Sequence, residues 1–115
     1  HVVGDVDIPN KGLTSIPVQF GYVSGFFDCR ANLLDSLEGC PSEVGGDFIC
    51  RHNNLKSLEG CPSEVGGNFD CSYNNQLKSL KGCPKEVIGD FNCGYNMFKY
   101  KPDVSHIKMG GEFAW

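Results

Sequence analysis

At 115 residues, with 40% hydrophobic and 11% aromatic side chains, the chain can bury one core but is too short for two ordinary domains. Its formal net charge of −4 speaks against a binder of phosphate backbones, which normally carries a basic stripe. No apolar run approaches the ~20 residues of a membrane span and no charged-then-apolar leader opens the chain, so a soluble protein is expected.

The first predicted strand is Val6–Asp7–Ile8. The same pattern returns at Phe27–Asp28–Cys29, Phe48–Ile49–Cys50, Phe69–Asp70–Cys71 and Phe91–Asn92–Cys93, these four copies being spaced by 21, 21 and 22 residues, and ends at Phe113–Ala114–Trp115. The longer step comes from Gln76, inserted in "NNQL" where the preceding copy has "NNL". With a side-chain period of two, Phe48 and Cys50 share the inward face of a strand, while Asp47, Ile49 and Arg51 face out. The four Phe–x–Cys strands are followed by an asparagine column (Asn32, Asn53, Asn74, Asn96), where the first copy has Lys11. Its amides are expected to bond the backbone where the chain turns away from the strand. Leucine columns follow, at Leu34, Leu55 and Leu77 and at Leu37, Leu58 and Leu80.

Between strands the chain spells "SLEGCPSEVGG" at 36–46 and 57–67, and "SLKGCPKEVIG" at 79–89. Gly supplies positive φ or close approach and Pro fixes φ without a donor, so this segment is expected to be the return path, built of extended, turn or 3₁₀ pieces. Gly and Pro interrupt every stretch that could form a long helix. A unit of about 21 residues cannot bury its own apolar face, so neighbouring copies must stack around one elongated core. The predicted fold is a mainly β repeat solenoid, one domain over 1–115, with about five coils and six parallel strands, one per repeat. Residues 94–115, where "MFKYKPDVSHIK" departs from "LKSLEGCPSEV", form a divergent C-terminal cap in which Trp115 is expected to plug the core.

The run Phe48-x-Cys50-x-x-Asn53-x-Leu55-x-x-Leu58 resembles the core pattern of the leucine-rich repeat, L-x-L-x-x-N-x-L-x-x-L, and the next two copies follow it with the one insertion. The resemblance implies a right-handed stack of coils. More narrowly, "LxSLEGCPxEVGGxFxCxxN" is similar to the short repeats of hypothetical proteins in tailed bacteriophages. That likeness implies a phage-encoded protein, acting in the host cytoplasm as an interaction module or in the virion as a decoration or tail-associated component.

The seven cysteines fall into two ladders, Cys29–Cys50–Cys71–Cys93 and Cys40–Cys61–Cys83. They are read as reduced core thiols, ahead of disulfides between coils and ahead of metal binding, because no C-x-x-C or Cys/His pair at zinc spacing occurs. With every cysteine assigned inward and His1, His52 and His106 scattered, no cysteine–histidine or serine–histidine–aspartate arrangement can be placed. No phosphate loop is spelled either. Neither an enzyme nor a cofactor is expected.

The outward side of the strand row carries the more informative residues. Asp5, Asp47, Asn68 and Asp90 precede the Phe positions, Asp28, Ile49 and Asp70 follow them, and then come Arg30 and Arg51, and His52, Tyr73 and Tyr95. Tyr and Arg are enriched where binding energy concentrates. Asp28, Arg30, Ile49, Arg51, His52, Asp70, Tyr73 and Tyr95 are therefore the candidate partner-binding residues. The competing reading is a polar sheet face that only keeps the molecule soluble and discourages edge pairing. Stacked carboxylates binding Ca²⁺ rank behind both. The expected partner is another protein, neither nucleic acid nor membrane, bound through the strand face or through an open solenoid end that also offers a route to self-association.

Overall fold

The computed structural model describes all residues, 1–115. The Phe columns form six two-residue strands: β1 (Val6–Asp7), β3 (Phe27–Asp28), β5 (Phe48–Ile49), β7 (Phe69–Asp70), β9 (Phe91–Asn92) and β11 (Phe113–Ala114). They pair in parallel in the order β1-β3-β5-β7-β9-β11, with Phe opposite Phe along the row. The molecule is thus a β solenoid of about five coils without helices, and the repeat period sets the register.

One element goes beyond the expected single strand per repeat. The return segments contain a second set, β2 (Tyr22–Val23), β4 (Glu43–Val44), β6 (Glu64–Val65), β8 (Glu86–Val87) and β10 (Lys108–Met109), which form a five-stranded parallel sheet. The reason lies in "EVGG". Val44, Val65 and Val87 are buried and their Glu neighbours point outward, so the pair is extended with one face in the core. Because successive copies are in register, their backbone groups meet those of the next coil and pair. The two glycines that follow allow the coils to close up: a Cβ on Gly66 would lie 2.2 Å from the carbonyl oxygen of Gly45.

The core between the sheets is a set of columns. Phe27, Phe48, Phe69 and Phe91 are fully buried, with ring centroids 5.6, 5.3 and 4.9 Å apart down the stack. Phe20 meets Phe27 edge-on at 5.2 Å, and Phe113 meets Phe91 edge-on at 5.6 Å. Leu34, Leu55 and Leu77 and Leu37 and Leu58 complete it. Gln76 is absorbed in an exposed loop, which returns Leu77 to its column. Trp115 does not plug the core; it is 50% exposed.

The asparagine column does what the sequence demands of a buried amide. Asn53 Nδ2 donates to the carbonyls of Cys50 (3.0 Å) and Cys29 (3.1 Å), in its own coil and the one before, and Oδ1 accepts from the Leu34 amide at 3.0 Å. Asn74 repeats the scheme with Cys71, Cys50 and Leu55. Each side chain staples two coils and satisfies backbone groups that face away from water. No buried side-chain nitrogen or oxygen lacks a partner.

Candidate functional site

The outward residues of the β1–β11 sheet fall into columns with different duties. In the column before Phe, the carboxylates and amides are occupied. Asp5 Oδ1 accepts the Phe26 amide (2.9 Å), Asp47 the Asn68 amide (2.7 Å), Asn68 the Asp90 amide (2.8 Å) and Asp90 the Glu112 amide (2.9 Å). Each side chain caps the corresponding amide of the next coil. The acidity of this face is therefore in good part structural.

The next column turns back on its own coil. Asp28 Oδ1 accepts the Arg30 amide at 3.1 Å, Asp70 Oδ1 the Ser72 amide at 3.0 Å and hydroxyl at 2.6 Å, and Asn92 Oδ1 the Gly94 amide at 2.9 Å. Asp28 is only 5% exposed and lies under Arg30, whose Nε is 3.5 Å from Oδ2. Arg51 Nη1 reaches across one coil to Asp70 Oδ2 at 3.7 Å. Ile49 interrupts the polar column and is half-buried.

Three residues past the ends of β1, β3, β5, β7 and β9, the chain enters the left-handed region without using glycine. Ala31, His52, Tyr73 and Tyr95 have φ of 56°, 56°, 57° and 55°, and Asn10 begins the column at 54°. This conformation costs an ordinary residue on the order of 1 kcal/mol. It also points successive side chains outward in line. His52 and Tyr73 stack with centroids 4.4 Å apart and planes 9° from parallel; Tyr73 and Tyr95 stack at 4.4 Å and 8°. Tyr73 is 39% exposed and Tyr95 73%. Desolvation in the stack, together with the neighbouring Tyr95 hydroxyl, pushes the Tyr73 phenol above its ordinary value.

Of the eight candidate residues, the structure gathers His52, Tyr73 and Tyr95 into one exposed ring column, with Arg30, Arg51 and Asp70 along its flank. Asp28 is largely covered and Ile49 half-covered. The left-handed column could not be read from sequence, because Asn10 and His52 are of types enriched at positive φ but Ala31, Tyr73 and Tyr95 in the same column carry no such signal. The expectation that no cysteine–histidine pair can form is corrected: Cys83 is half-buried, with Sγ 3.3 Å from His106 Nε2.

What the face can do chemically is present flat, amphipathic surface. The rings offer faces and edges for apolar contact, the phenols donate and accept hydrogen bonds, and the two arginines supply cationic groups already tethered to carboxylates. Compared with family models, with curated proteins and with solved structures, the chain has no match in any of the three.

Proposed function

We propose that the chain is a non-enzymatic protein–protein interaction module of the leucine-rich-repeat kind, encoded by a bacteriophage, which binds a host or defence protein through the column His52–Tyr73–Tyr95 and its arginine flank. The observation that carries this reading is the exposed ring stack itself, on residues held at positive φ. A face that needed only to stay soluble would be served by Ser, Asn or Lys, without strained aromatic positions. Rigid aromatic side chains lose little conformational freedom on binding, which suits them to anchor a partner.

The test is capture from a bacterial lysate, with the mass of the chain measured by light scattering alone and with whatever it retains. The reading expects a monomer that holds one protein in a stoichiometric complex and holds it more weakly when Tyr73 is replaced by Ala. A chain that assembles with itself, or that is retained in many copies on phage particles, would instead make it a building block of the virion.

A further inference from the structure

The last coil breaks the repeat, and hydrogen bonds show which of its residues stands in which column. In earlier coils the hydroxyls of Ser36, Ser57 and Ser79 accept the amide two residues on, and the amides of Cys40, Cys61 and Cys83 donate to the carbonyl three residues back. In the last coil Asp103 accepts from the Ser105 amide at 2.9 Å, and the Ile107 amide donates to the Val104 carbonyl at 3.0 Å. Ile107 thus occupies the cysteine column, and His106 stands where the earlier coils have Gly39, Gly60 and Gly82. Those coils are too close for a side chain there: a Cβ on Gly82 would lie 2.5 Å from the Glu59 nitrogen. The last coil has room because the stretch from Asn96 to Asp103 is two residues longer than that from Asn74 to Ser79. Between it and the preceding coil is a cavity of about 570 Å³, with Leu80, Phe98 and Tyr100 as apolar wall and Cys83, His106 and Asp103 among its polar groups.

Cys83 differs from the other six thiols. Cys29, Cys40, Cys50, Cys71 and Cys93 are buried, and the Cys61 thiol donates to the Gly82 carbonyl at 3.0 Å. Only Cys83 combines a place in a cavity wall with an imidazole nitrogen at 3.3 Å. Desolvation raises the Cys83 thiol above its ordinary value, so the protonated thiol is the favoured resting form. Lys78 and Lys81 also line the cavity; Lys81 is paired with Glu59 at 3.2 Å, whereas Lys78 has no ion-pair partner. Lys78 is therefore the cation left to attract an anionic reagent, against the single Asp103 carboxylate of the same wall.

We infer that Cys83 is a thiol-exchange site, where small anionic disulfides leave half of themselves as a mixed disulfide. In that step Cys83 Sγ attacks one sulfur of R–S–S–R as its proton passes to His106 Nε2. The S–S bond of the reagent breaks, the Cys83–S–S–R bond forms, and the departing RS⁻ takes the proton from the imidazolium. Cys83 is oxidised, one RS unit is reduced to RSH, and no other oxidant is needed. The exchange is stoichiometric and independent of the partner-binding face.

The experiment treats the reduced, folded full chain with dithiobis(nitrobenzoate), an anionic disulfide, and with neutral dithiodipyridine, and locates the adduct by peptide mapping. One of the seven thiols is expected to react in a fast phase, at Cys83. His106→Gln should slow that phase about tenfold at pH 7 and leave a rate that climbs only as the thiol itself ionises. Lys78→Ala should slow the anionic reagent and leave the neutral one unchanged. The charged and titratable groups around the pair are Asp103, Lys78, Lys81 and Tyr100 in the cavity wall and Cys61 one coil back, with Glu59 held on Lys81, and none of them is altered in the His106 variant. First labelling at another cysteine, labelling only after denaturation, or a His106→Gln protein that keeps the wild-type rate from pH 6 to 9 would each overturn the inference.

Discussion

At the scale of single residues, the fold rests on positions with little freedom. Phe69 is fully buried between Phe48 and Phe91, and Phe69→Ala removes a ring from the middle of the column. The expected loss is about 3–5 kcal/mol, read as a drop in the denaturant midpoint or as failure to fold. The left-handed column makes the opposite kind of prediction. Ala31 is exposed with φ of 56°, so Ala31→Gly should stabilise the protein by about 1 kcal/mol, less what the looser unfolded chain returns. A fall in thermal midpoint for Ala31→Gly would show that position to be unstrained. His52, Tyr73 and Tyr95 bear the same backbone cost, offset by ring stacking worth roughly 0.5–1.5 kcal/mol per pair.

At the scale of elements, the inward Phe, Leu, Val and Asn columns were legible because each recurs at fixed spacing. The second sheet was not, because glycine and proline around Glu43–Val44 also spell a turn, and only the register between coils turns two extended residues into a strand. The carboxylate caps at Asp5, Asp47 and Asp90 were equally hidden, since an outward Asp looks the same in sequence whether it caps an amide or meets solvent. The thiol ladders make an element-scale prediction. Burial pushes Cys50, Cys61, Cys71 and Cys93 upward, Cys93 to about 12, and an acceptor contact with Cys29 does the same for Cys40. Folded-state values lie above the unfolded thiol value near ~9, so their contribution is intact below that pH and is lost as pH rises, because only the unfolded chain then ionises. Each such thiol is expected to cost about 1.4 kcal/mol of stability by pH 10 relative to pH 8. Urea midpoints that stay level from pH 8 to 10 would show that the thiols are not buried in the folded ladder.

At the scale of the whole molecule, charge is unevenly distributed along the coils. Residues 1–77 hold ten acidic and four basic side chains, residues 78–115 four acidic and six basic. The ring column crosses this change, with Arg51 and Asp70 beside its His52 end and Tyr95 in the basic half. The candidate contact residues were only partly legible in the sequence. His52, Tyr73 and Tyr95 are visible as an outward set, but their stacking depends on the backbone conformation that aims them, and Asp28 reads as surface in sequence although the Arg30 side chain covers it. The Cys83–His106 pair was hidden because the divergent coil shifts register, so no repeat column connects the two residues. The measurement that bears most directly on the proposed binding face is a calorimetric titration of the captured partner against wild type and Tyr73→Ala. With circular dichroism unchanged, the variant should bind more than about 1 kcal/mol more weakly, roughly fivefold in Kd. Equal affinity in a folded Tyr73→Ala protein would contradict the ring column as the contact surface.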